Sequence, residues 1–503
     1  MTTCEVRTAA GALRGRREAD VAVFRGIPFA EAPVGELRFA APRPVRSWDG
    51  VRPAESYGPP PPQPVAFGRD PALGGAGGDE WLTVNVWSPD PDPAAKLPVM
   101  VWIQGGGYTI GASSSPEYDG RRLARHGGVV VVTFNYRVGA EGFAQIAGAP
   151  PNRGLLDQLA ALEWVHDNIQ VFGGDPDRVT VFGQSAGGGS VAALLAMPRA
   201  AGLFRRAVAQ SVPGPFFSTE LAADIAAACA DELGVRATVA ELATVDPARL
   251  VAAGGAVAAT AAGRAPRWGQ VGHRSIPFAP VVDGDVLPVT PWRALADGAC
   301  RDIDLLVGHT RDEQRLFSAL SGLLGQVTRE QAAAALRVFA PEPDGERGYR
   351  DAFADAGPDE LYELVHSDWL FRMPTLHLAQ AQTAGGGRVH VYELTWPAPG
   401  MGGALGACHG LDVPLVFGNL DSGQPALLIG EGPSPEAEAL SAEMRTAWTA
   451  FATHGDPGWP AYDAGKRLTQ IFDTPSAVAA YPEETSRLIW QDHTFPVAQL
   501  IGG

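Results

Sequence analysis

The stretch that most constrains this chain is Gly183–Gly187, which reads Gly-Gln-Ser-Ala-Gly. An apolar run, Arg178–Phe182, leads into it, and a small-residue helical stretch, 188–197, leads out and stops at Pro198. A residue on a sharp strand-to-helix turn is strained, and only small neighbours let the turn close. Glycine-rich turns of no chemical importance share these letters, but the flanking strand and helix favour a turn that lifts Ser185 off a sheet edge. We therefore expect Ser185 to be a nucleophile in front of a helix N-terminus.

Buried strands on either side of this turn indicate a mostly parallel sheet. Leu97–Ile103 and Val129–Phe134 are continuous apolar runs, which is typical of strands buried on both faces. They alternate with a helical pattern at 157–169, as in layered α/β proteins. Three glycines, 105–107, follow the first run and free the backbone N–H groups to approach a ligand, although they also suit a flexible turn.

The remainder of the chain is interpreted as additions to a single α/β unit over 1–503. An N-terminal hairpin is predicted at 11–24, and a mobile Pro/Gly-rich loop at about 57–78. Two helical blocks, at about 219–268 and 330–382, interrupt the alternation of strands and helices. We interpret them as insertions that form a lid or pocket wall.

Composition excludes several classes of partner. The formal net charge is −17, which disfavours nucleic acid and anionic membranes because both need a basic patch. The four cysteines are far apart in sequence and form no metal-ligand spacing, so we expect free thiols and no metal or other cofactor. No leader or membrane span is apparent, and we expect a cytoplasmic protein that is a monomer or homodimer.

A serine nucleophile needs a base within hydrogen-bond reach and a carboxylate that orients the base. Of ten histidines, His409 is best placed, because it lies in a loop after the late predicted strand 389–394. Asp312 and Glu313 both follow the strand-like run 303–308. The residues alone do not choose between these two acids.

A set of short motifs runs along almost the whole chain. They are Phe24–Ala30, Leu37–Phe39, Leu82–Trp87, Gly105–Gly107, Asn135–Arg137, Gly142–Phe143, Gly154–Gln158, Asn168–Gly187, Pro280–Gly284, Asp312–Glu313, Phe371–Arg372 and His409–Gly410. Together they resemble the type B carboxylesterase and cholinesterase-like family of α/β-hydrolases. The resemblance covers about residues 5–462. It implies the α/β-hydrolase fold, with a large, mostly parallel central sheet flanked by helices, and hydrolysis of small to medium carboxylic esters.

The resemblance also implies roles for particular residues. The acid is the glutamate of the Asp-Glu pair, Glu313, and the base is the histidine of the His-Gly pair, His409. The oxyanion donors are the backbone N–H groups of Gly106, Gly107 and Ala186. The chemistry is then an acyl-enzyme mechanism on a small-molecule ester.

Further residues are implied around this core of the site. Ser211 resembles a serine that hydrogen-bonds behind the triad. Gln184 stands where the family usually has glutamate, so we expect weaker attraction for cationic substrates and a changed pH profile. Gln104 stands where many relatives have histidine. The substrate pocket is expected to include Gln104, Tyr108, Phe216 and Phe217, although the two phenylalanines equally suit a core.

Two other classes of function compete with an esterase. A lactonase, amidase or acyltransferase would use the same triad, because the pocket and not the triad sets the acceptor. A non-catalytic adhesion-type relative would bind a protein, but such relatives typically lose the nucleophile. Since serine, acid and histidine are all present, the sequence favours an enzyme.

Overall fold

One large sheet forms the centre of the molecule. The computed structural model describes residues 3–64, 78–423, 425–430 and 432–502. Within these ranges, thirteen strands make the large sheet and two more pair separately. The strands are β1 (Thr3–Arg7), β2 (Ala12–Glu18), β3 (Val21–Pro28), β4 (Val51–Pro53), β5 (Thr83–Ser88), β6 (Leu97–Ile103), β7 (Val130–Phe134), β8 (Gly174–Gln184), β9 (Arg206–Gln210), β10 (Phe217–Ser218), β11 (Val281–Val282), β12 (Asp304–Thr310), β13 (Val389–Leu394), β14 (Leu468–Phe472) and β15 (Ala477–Ala480).

The sheet is parallel in its middle and mostly antiparallel at its two ends, where only the short β4 pairs parallel with β2. Its order is β1-β2-β3-β5-β7-β6-β8-β9-β12-β13-β14-β15, with β4 beside β2. From β7 to β14 every neighbouring pair is parallel. The carboxyl ends of these strands therefore meet at one edge, where open α/β sheets bind their ligands.

Helices cover both faces of this sheet. They are α1 (Arg121–Gly127), α2 (Gly139–Phe143), α3 (Arg153–Asn168), α4 (Ala186–Ala196), α5 (Thr219–Asp231), α6 (Val239–Leu242), α7 (Pro247–Thr260), α8 (Ala265–Trp268), α9 (Pro291–Ala296), α10 (Glu313–Leu320), α11 (Arg329–Phe339), α12 (Gly345–Ala352), α13 (Pro358–Ser367), α14 (Met373–Ala384), α15 (Asp412–Phe417), α16 (Pro425–Ile429), α17 (Pro435–His454) and α18 (Glu484–Trp490). In the described ranges, none of these helices combines the length and apolar character needed to cross a membrane.

Strand β6 shows how one apolar run serves two cores. Successive side chains of a strand point to opposite faces. Val99 and Val101 join the core that includes α3 and α4, whereas Met100 and Trp102 join the core that includes α1, α15 and α17. Both faces of β6 are buried, and the predicted parallel sheet with helices on each side is confirmed.

Most predicted elements match the structure. The predicted hairpin at 11–24 corresponds to β2 and β3, which pair antiparallel. Helices α5 to α8 occupy 219–268, and α11 to α14 lie within 329–384. The interpretation of these blocks as insertions of a single domain stays a prediction. Of the loop predicted as mobile, residues 65–77 lie outside the described residues.

Candidate active site

Ser185 stands on the sharp turn between β8 and α4. Its backbone has φ 58° and ψ −126°, a strained conformation for a residue with a side chain. Glycine on both sides makes this turn possible. A Cβ on Gly187 would lie 2.0 Å from the carbonyl oxygen of Ile103, and one on Gly183 would lie 2.6 Å from the Gly187 backbone. The strand-to-helix turn expected from Gly183–Gly187 is therefore present.

Replacing Gly187 by alanine is expected to lower the free energy of unfolding by about 3 kcal/mol or more, because backbone atoms of β6 cannot move aside as a flexible side chain would. The matched control is Gly255→Ala in α7, where a Cβ meets no atom within 4 Å and alanine is the better helix former. Chemical denaturation of both variants measures the difference. An unfolding free energy for Gly187→Ala equal to that of the unaltered protein would contradict this account of the turn.

The three glycines after β6 form a second wall of the site. Gly106 has φ +110° and Gly107 has φ +61°. A Cβ on Gly105 would lie 3.1 Å from Ser185 Cβ, which shows how closely this loop approaches the serine. Between described residues, no hydrogen bond takes its donor from the N–H of Gly106 or Gly107. The N–H of Ala186, first residue of α4, likewise has no intrahelical acceptor.

Glu313 and His409 form a hydrogen-bonded pair at the same sheet edge. Glu313, the first residue of α10, is fully buried, and its Oε2 contacts His409 Nδ1. Its other oxygen, Oε1, accepts hydrogen bonds from Ser211 Oγ at 2.6 Å and from Thr310 N at 3.0 Å. Burial acts to raise the pKa of Glu313, but the charge of His409 and the hydrogen bonds from His409 and Ser211 hold it below its usual value. The carboxylate is thus ionised and fixed in direction.

Asp312 makes different contacts from those of the adjacent Glu313. Its N–H donates to the carbonyl of Ala407 at 2.9 Å, and its Oδ2 accepts from Ala407 N at 2.8 Å. Asp312 also forms an isolated parallel bridge with Cys408. These contacts tie the loop that carries His409 to the end of β12. Of the two acids that the residues alone left open, Glu313 contacts the imidazole and Asp312 contacts the loop that carries it. The role of Glu313 as the catalytic acid stays a prediction.

Ser211 lies directly behind Glu313. It follows β9, has φ +50° and is fully buried. Its N–H donates to the carbonyl of Gly308 in β12 at 2.8 Å, so neighbouring strands position it. The resemblance implied a serine that hydrogen-bonds behind the triad, and the contact of Ser211 with Glu313 supports that role, which stays a prediction.

Gln184 occupies space beside the imidazole. Its Nε2 lies 3.2 Å from His409 Nε2 and 3.4 Å from Nδ1. Among the hydrogen bonds of the described residues, none joins Ser185 Oγ to His409. Such catalytic hydrogen bonds are often loose without substrate and tighten in the complex.

Two aromatic rings pack against the imidazole of His409. From the sequence, neither of them was assigned a role in the site. Phe371 stacks on the imidazole with ring centroids 4.2 Å apart, and the Phe317 ring lies 5.1 Å from it. Phe371 belongs to a family motif, which was a signal for its importance. Phe317, one turn after Glu313 on α10, carries no such signal.

The residues predicted to line the pocket are mostly buried. Tyr108 is 3% exposed and packs its ring on Phe143. Phe216 is fully buried against Trp292, which favours a core position for it. Phe217 is also buried and belongs to β10. Their assignment to the pocket stays a prediction.

Gln104 is fully buried immediately before the glycine loop. Its backbone carbonyl accepts a hydrogen bond from Tyr136 Oη at 2.7 Å. Its side-chain amide has no hydrogen-bond partner among the described residues. The fixed carbonyl anchors the start of the glycine loop, while the pocket role of Gln104 stays a prediction.

His309 illustrates why the other histidines suit the base role less well. It lies inside β12, and its ring contacts the carbonyl of Thr310 and the hydroxyl of Tyr481, each at 3.0 Å. Burial, with the nearby charge of Arg372, lowers the pKa of His309 to about 4.

Over the described ranges, no group of three or more His, Cys, Asp or Glu side chains could hold a metal ion.

The sheet order and the strand-to-helix turn define an α/β-hydrolase. Residues 2–486 match the family model described as the carboxylesterase family. The chain is 38% identical to para-nitrobenzyl esterase of Bacillus subtilis (strain 168), over 97% of this chain and 98% of that protein. It is 35% identical to phenmedipham hydrolase of Pseudarthrobacter oxydans, over 94% and 96% of the two chains.

A solved structure agrees with these sequence comparisons. The carboxylesterase EST55 of Geobacillus stearothermophilus superposes with a TM-score of 0.85 at 37% identity, over 97% of this chain and all of that one. This chain therefore belongs to the carboxylesterase family and is a carboxylic ester hydrolase. The expected family and fold are confirmed.

Proposed function

We propose that this enzyme hydrolyses small to medium carboxylic esters with Ser185 as nucleophile, His409 as base and Glu313 as the orienting acid. One observation carries the proposal: the strained Ser185 turn, the Glu313–His409 pair and the free N–H groups of the glycine loop lie at one sheet edge. Each group alone has structural counterparts in other proteins. Their combination is what acyl transfer requires.

Acylation begins when Ser185 Oγ attacks the ester carbonyl carbon and its proton passes to His409 Nε2. The carbonyl oxygen becomes an oxyanion, which accepts hydrogen bonds from the N–H groups of Gly106, Gly107 and Ala186. The imidazolium of His409 then gives its proton to the leaving alcohol as the tetrahedral intermediate collapses. The product is an ester between Ser185 and the acyl group.

Deacylation repeats these steps with water as the nucleophile. Glu313 accepts the Nδ1–H of His409, fixes the tautomer that leaves Nε2 free and stabilises the imidazolium in each step. Ser211 and the N–H of Thr310 keep the second oxygen of Glu313 occupied. The carboxylate thus has one remaining direction in which to act, towards His409.

A chain-length panel of p-nitrophenyl esters, from acetate to decanoate, tests this function. We expect turnover with a preference for short to medium acyl chains, and lower kcat/KM for matched p-nitroanilides and lactones. An organophosphate should label one equivalent of enzyme, with the mass shift on the peptide that contains Ser185. Absence of both turnover and labelling would exclude the proposed reaction.

We further propose a cytoplasmic monomer or homodimer, with no nucleic-acid or membrane partner. The net charge of −17 disfavours association with nucleic acid. All four cysteines are described and free of disulfides, which suits a reducing compartment.

A further inference from the structure

Arg274 lies beside the candidate active site, on the segment that leads to β11. Its Cζ is 5.4 Å from the centroid of the Phe317 ring, the same ring that contacts His409. Two residues later, Ile276 touches the glycine loop: a Cβ on Gly107 would lie 3.2 Å from Ile276 Cδ1. The segment thus borders both the imidazole and the oxyanion loop.

The guanidinium of Arg274 lies over the Phe317 ring, but it has no hydrogen-bonding or ionic partner among the described residues. Within the part of the chain that the structure describes, no hydrogen bond or ion pair includes it. Other arginines nearby are paired: Arg315 with Glu363 at 2.9 Å, and Arg311 with Asp312 at 2.9 Å. A partly buried cation without an anion is unfavourable, since its lost hydration is not replaced. The contact with the Phe317 ring offsets only part of this cost, so the guanidinium remains able to bind an anion.

The surroundings of Arg274 are neutral. Tyr362 and His366 are near enough to interact with it electrostatically, and their rings lie 4.1 Å apart. Burial, with the charge of Arg274, lowers the pKa of His366 to about 3, so that ring is uncharged at neutral pH. Burial lowers the pKa of Arg274 to about 10, which still leaves it protonated at neutral pH.

Among the residues that the structure describes, no carboxylate forms an ion pair with Arg274. Glu313 is compensated by its contact with His409 and is separated from solvent. Residue 184, beside His409, is a neutral glutamine. An anion that enters this site is therefore attracted to Arg274, whereas the carboxylates named above are already paired with His409, Arg315 or Arg311.

We propose that Arg274 binds an ionised carboxylate of the substrate, so that the enzyme prefers esters with a second, anionic group, such as monoesters of dicarboxylic acids. This inference rests on the proposed function and specifies its substrate class. A guanidinium can make two parallel hydrogen bonds to a carboxylate, which gives both affinity and orientation. Phe317, which contacts both Arg274 and His409, then helps to set the separation between the carboxylate and the reacting ester.

The test compares an anionic ester with its neutral methyl ester, mono-p-nitrophenyl adipate and methyl p-nitrophenyl adipate, by the initial rate of p-nitrophenolate release. For the unaltered enzyme, we expect a higher kcat/KM with the anionic ester, and a smaller preference at high salt. In Arg274→Gln, the ratio of the two kcat/KM values should fall at least about tenfold, the usual effect of losing a hydrogen bond between charged groups. With the neutral ester, which offers no carboxylate to Arg274, kcat/KM should fall much less than with the anionic ester.

Arg301→Gln is the matched control, because Arg301 is exposed and precedes β12 at the opposite sheet edge. It removes the same charge and should leave the ratio unchanged. Arg274→Met keeps a long unbranched side chain at this position without the charge, and serves if the glutamine variant does not fold. An unchanged ratio in Arg274→Gln, or an equal fall with both esters, would overturn the role of Arg274. Failure of the unaltered enzyme on both esters would instead overturn the proposed function.

Discussion

Replacement of Ser185 by alanine is expected to lower kcat for p-nitrophenyl butyrate by about 10⁶-fold, the loss that follows when a serine hydrolase loses its nucleophile. The turn itself should persist, because alanine also has a Cβ and meets the same backbone strain. Binding groups and oxyanion donors remain, so a residual acceleration of about 10³–10⁴ over water is expected. The variant should fold normally, and KM should change little.

Stopped-flow and long-time p-nitrophenolate release measure this loss. The control is Ser190→Ala, five residues further along α4, where the buried hydroxyl accepts a hydrogen bond from Gln158 Nε2 at 3.0 Å. That variant removes the same atom and should retain most of kcat, with a small loss of stability. Full activity in Ser185→Ala would show that another residue is the nucleophile.

The sequence was sufficient for the sheet centre and the serine turn. β6 has the bounds that its apolar run predicted, 97–103. A strand that is buried on both faces is apolar along its whole length, so the apolar run and the strand begin and end at the same residues. Ser185 was identified for a related reason. A Cβ on Gly183 or Gly187 would lie too close to neighbouring backbone atoms, so the turn requires glycine at both positions. The turn can therefore be predicted from the local sequence.

The acid could not be chosen from local sequence, because the answer depends on strands far apart in the chain. Asp312 faces the 407–408 loop and Glu313 faces Ser211, and both directions follow from the placement of β12 between β9 and β13. Adjacent residues with the same charge give no sign of this difference. Family resemblance supplied the choice of Glu313, and the contact between Glu313 and His409 supports this prediction.

Aromatic and basic residues near the site were the hardest to predict. Phe216 and Phe317 are both phenylalanines within helical or loop segments, yet one is buried against Trp292 and the other borders His409. Arg274 lies in a segment without regular pattern, and its importance depends on the absence of a partner among the described residues. Whether a charged side chain has an ionic partner depends on the folded structure, and the spacing of residues in the sequence does not show it.

The second large effect is expected from Glu313→Gln, which should lower kcat by about 10⁴-fold. An amide at this position can present its NH₂ to Nδ1 of His409, which favours the tautomer that blocks Nε2 as a base. It also removes the negative charge that stabilises the imidazolium in both steps of the reaction. Because the variant acts on the chemical steps and not on binding, KM should remain near its original value.

Asp312→Asn is the matched control, since it makes the same chemical change one residue earlier. Asparagine can still accept the hydrogen bond from Ala407 N, and the lost ion pair with Arg311 is partly exposed and worth little. We expect kcat to fall less than about tenfold, together with a small loss of thermal stability. Steady-state kinetics and thermal unfolding of both variants separate the two roles. Equal losses of kcat would mean that both carboxylates act only by holding the His409 loop, whereas a loss confined to Glu313→Gln places the orienting charge on Glu313.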